Sequence, residues 1–248
     1  MERTEVLMGM PITVVIPPSR GRSPGEDAFE AVFGSFRAVD AQFSPYKPES
    51  EVSRISRGDL RTEDASPLMR EVLDLCRQTQ DLTDGWFTPW FEGQFDPSGL
   101  VKGWAIHRAS QLLDDLGYRD HCIEAGGDIE VRGFNDEGQP WEIGIRNPFD
   151  TSTLVKVLYL SDRGVATSGT YIRGRHIYNP KTGERIEGVP SLTVVGPNVY
   201  EADRLATPAY AMGEGGISWL ATLPGIEAYQ IGHDQCALAT PGLAEYQR

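Results

Sequence analysis

Apolar residues recur at helical period in three parts of the chain. Between Glu26 and Gln42, Ala28, Phe29, Val32, Phe33, Phe36 and Val39 predict one buried side of a helix. Leu68, Val72, Leu75, Cys76 and Thr79 do the same for a helix opened by Ser66 as N-cap and Pro67 behind it, and ended by Asp84-Gly85. The third case is Asp96 to Gly133, around which the chain is organised. It reads as a glycine-bearing turn, a helix, a strand, a tight Gly-Gly-Asp turn and another strand. Ala105, Ala109, Leu112, Leu113 and Leu116 form the apolar stripe of that helix. His107, Arg108, Ser110, Gln111, Asp114 and Asp115 fill its other face, and Gly117 suits a left-handed C-cap.

Period-two and β-branched runs predict the strands. Leu7 to Ile16 reads as a first strand carrying Met8-Gly9 and ended by Pro17-Pro18, with a polar loop after it. Cys122 to Ala125, Trp141 to Arg146, Leu154 to Leu160 and Gly164 to Ser168 follow. Arg175 to Tyr178 is expected between turns at Gly169 to Gly174 and Asn179 to Gly183. Ser191 to Val195, Ala228 to Gly232 and Gln235 to Ala239 complete the set. Short helices are expected at Val52 to Ser56 and near Ile217 to Leu223, and a longer one at Tyr200 to Met212. Runs of strands with interspersed helices predict an α+β fold with a mixed or antiparallel sheet and packed helices.

A length of 248 residues allows a substantial core in one large domain or two small ones. The net charge of −13 argues against nucleic acid or an anionic membrane as partner, because no surface can be dense in Lys and Arg. It leaves room for an anionic ligand in a local pocket or beside a bound cation. Cys76, Cys122 and Cys236 show neither zinc spacing nor a disulfide framework, which fits a reducing compartment. No apolar run reaches transmembrane length. MERTEVLMGMPITVVIPP shows no secretory signal pattern and no lipid-bearing cysteine. The expected location is therefore cytoplasmic as the chain stands, or extracytoplasmic where a leader has been removed.

Four places carry candidate chemistry. Asp96-Pro97-Ser98-Gly99 precedes the central helix, with Lys102 and Gly103 expected in its first turn. Free N–H groups, the positive end of the dipole and a lysine suit a phosphate there, although a plain helix start gives the same residues. His176 lies beyond Thr167-Ser168-Gly169-Thr170-Tyr171 and suits a general base, or an exposed hairpin histidine. Asp203 and Thr207, four apart, share one helix face and offer hard oxygens to Mg²⁺, or to solvent. Gly126-Gly127-Asp128 reads as a hairpin corner that needs positive φ.

Taken in order, DPSGLVKGWAIHRA, EAGGDIEVRG, WEIGIRNP, VATSGTY, RHIYNPKTGERI, SLTVVGP and EADRLATPAYAMG resemble the FAD:protein FMN transferase (ApbE-type flavin transferase) family. Upstream, MGMPITVVI, FSPYKPESEVSRIS and DGWFTP are similar as well, so the likeness runs from Leu7 to about Gly213. The resemblance implies a single domain over residues 1–248, related to the tunnelling fold, with two subregions flanking a flavin cleft. It implies an enzyme that takes FMN from FAD, attaches it to a Thr of a target flavoprotein and releases AMP. By position, Met8, Tyr46, Trp86, Phe87, Thr88, Asp96, Lys102 and Tyr178 would contact FAD. The backbone oxygen of Gly99 with Asp203 and Thr207 would hold Mg²⁺, and His176 would accept the proton of the attacking Thr.

The chain departs from the family pattern in places. Only residues 89–95 separate Thr88 from Asp96, where relatives carry a longer insertion. Thr88, Thr170 and Asn179 stand where acidic residues are usual. A second expectation is therefore an FAD-binding protein or an FAD pyrophosphatase that has lost protein flavinylation.

Overall fold

The computed structural model of the chain describes residues 1–18, 25–169, 178–186 and 188–248. Its strands, in chain order, begin with β1 (Glu2–Leu7), β2 (Met10–Val15), β3 (Trp90–Phe91) and β4 (Gln94–Phe95). They continue with β5 (His121–Ala125), β6 (Asp128–Arg132), β7 (Trp141–Asn147) and β8 (Asp150–Leu160). The last four are β9 (Arg163–Gly169), β10 (Ser191–Gly196), β11 (Glu227–Ile231) and β12 (Ala237–Ala239). Among the described residues one sheet has the order β1-β2-β5-β6-β9-β10-β11-β12, and all its pairings are antiparallel. β3–β4 and β7–β8 are separate hairpins. The main helices are α1 (Glu26–Phe43), α2 (Glu51–Arg57), α3 (Pro67–Leu82), α4 (Ser98–Asp115) and α5 (Val199–Ala211). The fold is α+β, and the sheet is antiparallel rather than mixed.

The first expected strand is in fact two. Met8 (φ 52°) and Gly9 (φ 74°) both take left-handed backbone, so Leu7 pairs with Met10 and β1 folds back on β2. Its sequence, ERTEVL, is that of an edge strand buried only in part on one face, which blunts the apolar alternation. The expected strand at Arg175 lies outside the described residues but for Tyr178, which bridges to Arg185.

One sheet face carries the helices. Phe29, Phe33 and Phe36 of α1 are fully buried there, each worth about 1.5–3 kcal/mol. Ser66 caps α3 by accepting the Met69 N–H at 3.2 Å, as its position before Pro67 suggests. On the opposite face, the β7–β8 hairpin lays Ile143, Ile145, Leu158 and Leu160 against Val131, Val165 and Val195.

α4 packs against α1, α5, β5 and β6, and the expected amphipathic stripe is too narrow for that position. Trp104, Ile106 and the supposedly outward Ser110 are buried, whereas Leu116 is exposed. The helix begins at Ser98, which puts Lys102 in its second turn rather than its first. β6 explains much of the burial, because its polar face points inward. Asp128, Glu130 and Arg132 meet Lys102, His107 and Asp114 of α4 at 2.5, 3.2 and 3.6 Å.

Candidate functional site

The site is built where α4 crosses α5. A Cβ on Gly103 would stand 2.6 Å from Asp203 Cβ and 2.8 Å from the Val199 carbonyl oxygen, so a glycine is required for this approach. The Gly103 N–H donates to Asp203 Oδ2 at 2.7 Å. In an undisturbed helix that N–H would bond the carbonyl of Gly99, four residues back. That N–H is shared with or drawn to Asp203, and the Gly99 carbonyl, with two lone pairs, is a candidate ligand. α5 is held in place by Asn198, whose side chain accepts the Glu201 N–H at 2.9 Å, and by buried Glu130, which accepts the Val199 N–H.

Three charged groups meet at the crossing. Lys102 Nζ lies 2.5 Å from Asp128 Oδ2 and 3.7 Å from Asp203 Oδ1. Asp128 is 1% exposed, and its Oδ1 accepts the Thr167 N–H at 3.2 Å. Asp203 is 5% exposed, and burial pushes its carboxyl up to about 7. Lys102 and the Gly103 N–H oppose that rise, while neighbouring Asp128 adds to it. One ammonium thus serves two buried carboxylates.

The crossing forms the floor of a cleft of about 440 Å³. Gly99, Lys102, Asp203 and Thr207 line the floor, and a Cβ on Gly99 would lie 3.7 Å from Thr207 Oγ1. Trp86, Phe87, Thr88, Asp96 and Tyr178 line the walls. Asp96 Oδ1 accepts the Ser98 N–H at 2.9 Å, so one of the open N–H groups at the start of α4 is already engaged. The structure therefore brings nine of the expected residues into one cavity. Met8 and Tyr46 are elsewhere. Met8 sits in the β1–β2 turn against the helical core, and Tyr46 is 92% exposed on its loop. His176 and Thr170 lie outside the described residues.

The short segment after Thr88 is itself structured. Glu92 (φ 48°) and Gly93 (φ 77°) turn β3 back onto β4, and Ser56 Oγ bonds both the N–H and the carbonyl of Phe95 at 2.9 Å. Phe91, on this hairpin, stacks on Tyr178 with ring centroids 3.9 Å apart and planes at 26°. Lys181 reaches Asp84 at 3.1 Å and lies over the Trp86 ring, tying the turn after Tyr178 to the same wall. Sequence reasoning missed Phe91 as a lining residue, Gly103 as the crossing point and Asp128 as the partner of Lys102. The Gly-Gly-Asp corner was a signal for Asp128. Gly126 (φ 58°) and Gly127 (φ 93°) form the expected turn, and it is the turn that brings Asp128 in.

Among the described residues there is no group of three or more His, Cys, Asp or Glu side chains to hold a metal. A cation at the crossing would instead meet one carboxylate, one hydroxyl and one backbone carbonyl, from Asp203, Thr207 and Gly99. That set of hard oxygens fits Mg²⁺.

The sequence profile of the ApbE family matches residues 8–93 and 90–230. A Vibrio cholerae protein named FAD:protein FMN transferase is 35% identical over 129 residues, which are 48% of this chain and 39% of that protein. A Haemophilus influenzae protein of the same name is 34% identical over 130 residues, 48% of this chain and 38% of that one. The matched stretch thus covers well under two thirds of either relative. Among solved structures, the flavin transferase ApbE from Vibrio cholerae superposes with a TM-score of 0.85 at 23% identity, over 99% of this chain and 98% of that one. An ApbE protein from Thermotoga maritima does so with 0.88 at 21% identity, over 100% and 99%. At those identities the superpositions speak for the fold.

Proposed function

The chain belongs to the ApbE family, and from that premise we propose that it moves FMN from FAD to a target flavoprotein. The acceptor is a threonine hydroxyl and the leaving group is AMP. One observation carries this reading: the crossing of α4 and α5 places Lys102, Asp203, Thr207 and Gly99 on the floor of an aromatic-walled cleft. The name shared by the Vibrio and Haemophilus relatives supports it.

In the reaction the threonine oxygen attacks the FMN phosphorus. The bond from that phosphorus to the bridging oxygen breaks, and AMP leaves with that oxygen. Lys102 supplies a positive charge to the pyrophosphate oxygens, where negative charge accumulates. Trp86, Phe87 and Tyr178 offer aromatic surface to the planar rings of FAD. His176 is the group expected to take the threonine proton. Gly99, Asp203 and Thr207 would hold Mg²⁺, which supplies charge compensation on the pyrophosphate when bound.

The test is incubation with FAD and Mg²⁺, with and without a threonine-containing acceptor, followed by mass analysis. Acceptor heavier by one FMN, with matching AMP, is the expected result. Release of free FMN and AMP at the same rate with or without acceptor would make the protein an FAD pyrophosphatase. Intact FAD in every sample would leave a flavin-binding protein.

A further inference from the structure

We propose that Asp128 is a positioning residue, which holds the Lys102 ammonium off Asp203 and so keeps Asp203 Oδ1 open to a divalent cation. The inference rests on the cation-binding reading given above. Asp203 Oδ2 is engaged by the Gly103 N–H, so Oδ1 is the oxygen left for a ligand. Among the described residues, Lys102 is the cation paired with it, at 3.7 Å. Lys102 stands closer to Asp128, at 2.5 Å, so Asp128 competes with Asp203 for the ammonium.

Asp128 is well fixed for that task. It opens β6 directly after the left-handed Gly126-Gly127 corner, pairs with Ala125 across the hairpin and accepts the Thr167 N–H at 3.2 Å. It is 1% exposed and is not among the residues that line the cleft, whereas Lys102 and Asp203 both are. Two acidic side chains share one ammonium there, an imbalance that a divalent cation can fill. With Asp128 neutralised, Lys102 and Asp203 form a balanced pair that an incoming cation must break.

The experiment titrates Mn²⁺, a hard divalent probe, into the full chain without FAD and reads the free ion by electron paramagnetic resonance. Asp128→Asn keeps an oxygen for the Thr167 N–H and is expected to weaken Mn²⁺ binding about tenfold. Lys102→Met removes the competitor and should bind Mn²⁺ at least as tightly as the wild type. That variant keeps the question decidable if Asp128→Asn folds poorly. In the Lys102→Met background, Asp128→Asn should change affinity less than about twofold. An equal loss in both backgrounds would overturn the proposal, because Asp128 would then act through space and not through Lys102. So would wild-type affinity in Asp128→Asn, or weakened binding in Lys102→Met. A wild-type protein that binds no Mn²⁺ overturns the cation reading itself, and this inference with it.

Discussion

The two ends of α4 both bury polar groups, and they do so in opposite ways. Toward its C-terminus, Ser110 lies 2.7 Å from His121 Nε2, and His121 Nδ1 lies 2.8 Å from the Tyr118 carbonyl. The carbonyl can only accept, so Nδ1 carries the proton and Nε2 receives the serine hydroxyl. The arrangement is neutral, complete and closed to solvent. Toward the N-terminus one ammonium, that of Lys102, faces two buried acidic side chains, Asp128 and Asp203, at the edge of a cleft. A satisfied buried pair specifies structure, whereas an unbalanced one keeps electrostatic work for a ligand to do. The same helix is thus a core element at one end and lines a cleft at the other.

That contrast breaks most visibly at Asp203. Asp203→Asn keeps an acceptor for the Gly103 N–H but loses the charge, so the fold should hold while FMN transfer falls by roughly 10³-fold or more. Single-turnover AMP release beside a thermal melt reads both quantities, and undiminished release would remove Asp203 from the site. The next largest effect is expected from Lys102→Ala. It should weaken FAD binding by about 1.5–3 kcal/mol, the range for hydrogen bonds to charged groups. Equal dissociation constants for the two proteins would mean that Lys102 serves Asp128 alone. At the other end of the helix, Ser110→Ala should reverse the pattern. Leaving His121 Nε2 buried without a donor costs about 1–3 kcal/mol of stability, with FAD affinity and turnover unchanged. A turnover defect at full stability would show that the two ends are coupled.

The legibility of the chain follows the same division. α1 and α3 could be read because their apolar residues repeat at helical period and α3 begins with Ser66-Pro67. Asp203 and Thr207 could be placed together because four residues make one turn of α5. β6 could be read as a strand, but not which of its faces is buried. Asp128, Glu130 and Arg132 alternate with Ile129 and Val131, a pattern that normally turns the charged face to water. Here the charged face turns toward α4, since Lys102, His107 and Asp114 stand there to meet it. The complement lies some twenty residues away in sequence, and no local period announces it. Phe91 was illegible for a different reason, because a two-residue strand joined by Glu92-Gly93 has too few positions for any period.

The smallest expected effect belongs to the closed end and concerns pH. Burial holds the His121 imidazole below its ordinary value of 6.5, against the upward pull of the Tyr118 carbonyl, Asp114 and Asp120, while Arg132 adds to the depression. Above that ordinary value the imidazole is neutral in both the folded and the unfolded chain, so it makes no difference to stability there. As pH falls below it, the unfolded chain takes up a proton that the folded protein refuses, and stability drops. The loss continues until the folded-state pKa is passed, with a slope of at most about 1.4 kcal/mol per pH unit. His121→Gln cannot titrate and provides the control for the carboxylates elsewhere in the chain. Denaturant melts of both proteins between about pH 7 and about pH 5 should therefore converge from the alkaline side, with the wild type losing its advantage as the solution is acidified. Parallel profiles would show that His121 keeps its ordinary affinity for protons. The closed end of α4 would then tolerate a charge, and its contrast with the Lys102 end would be one of position rather than of electrostatic balance.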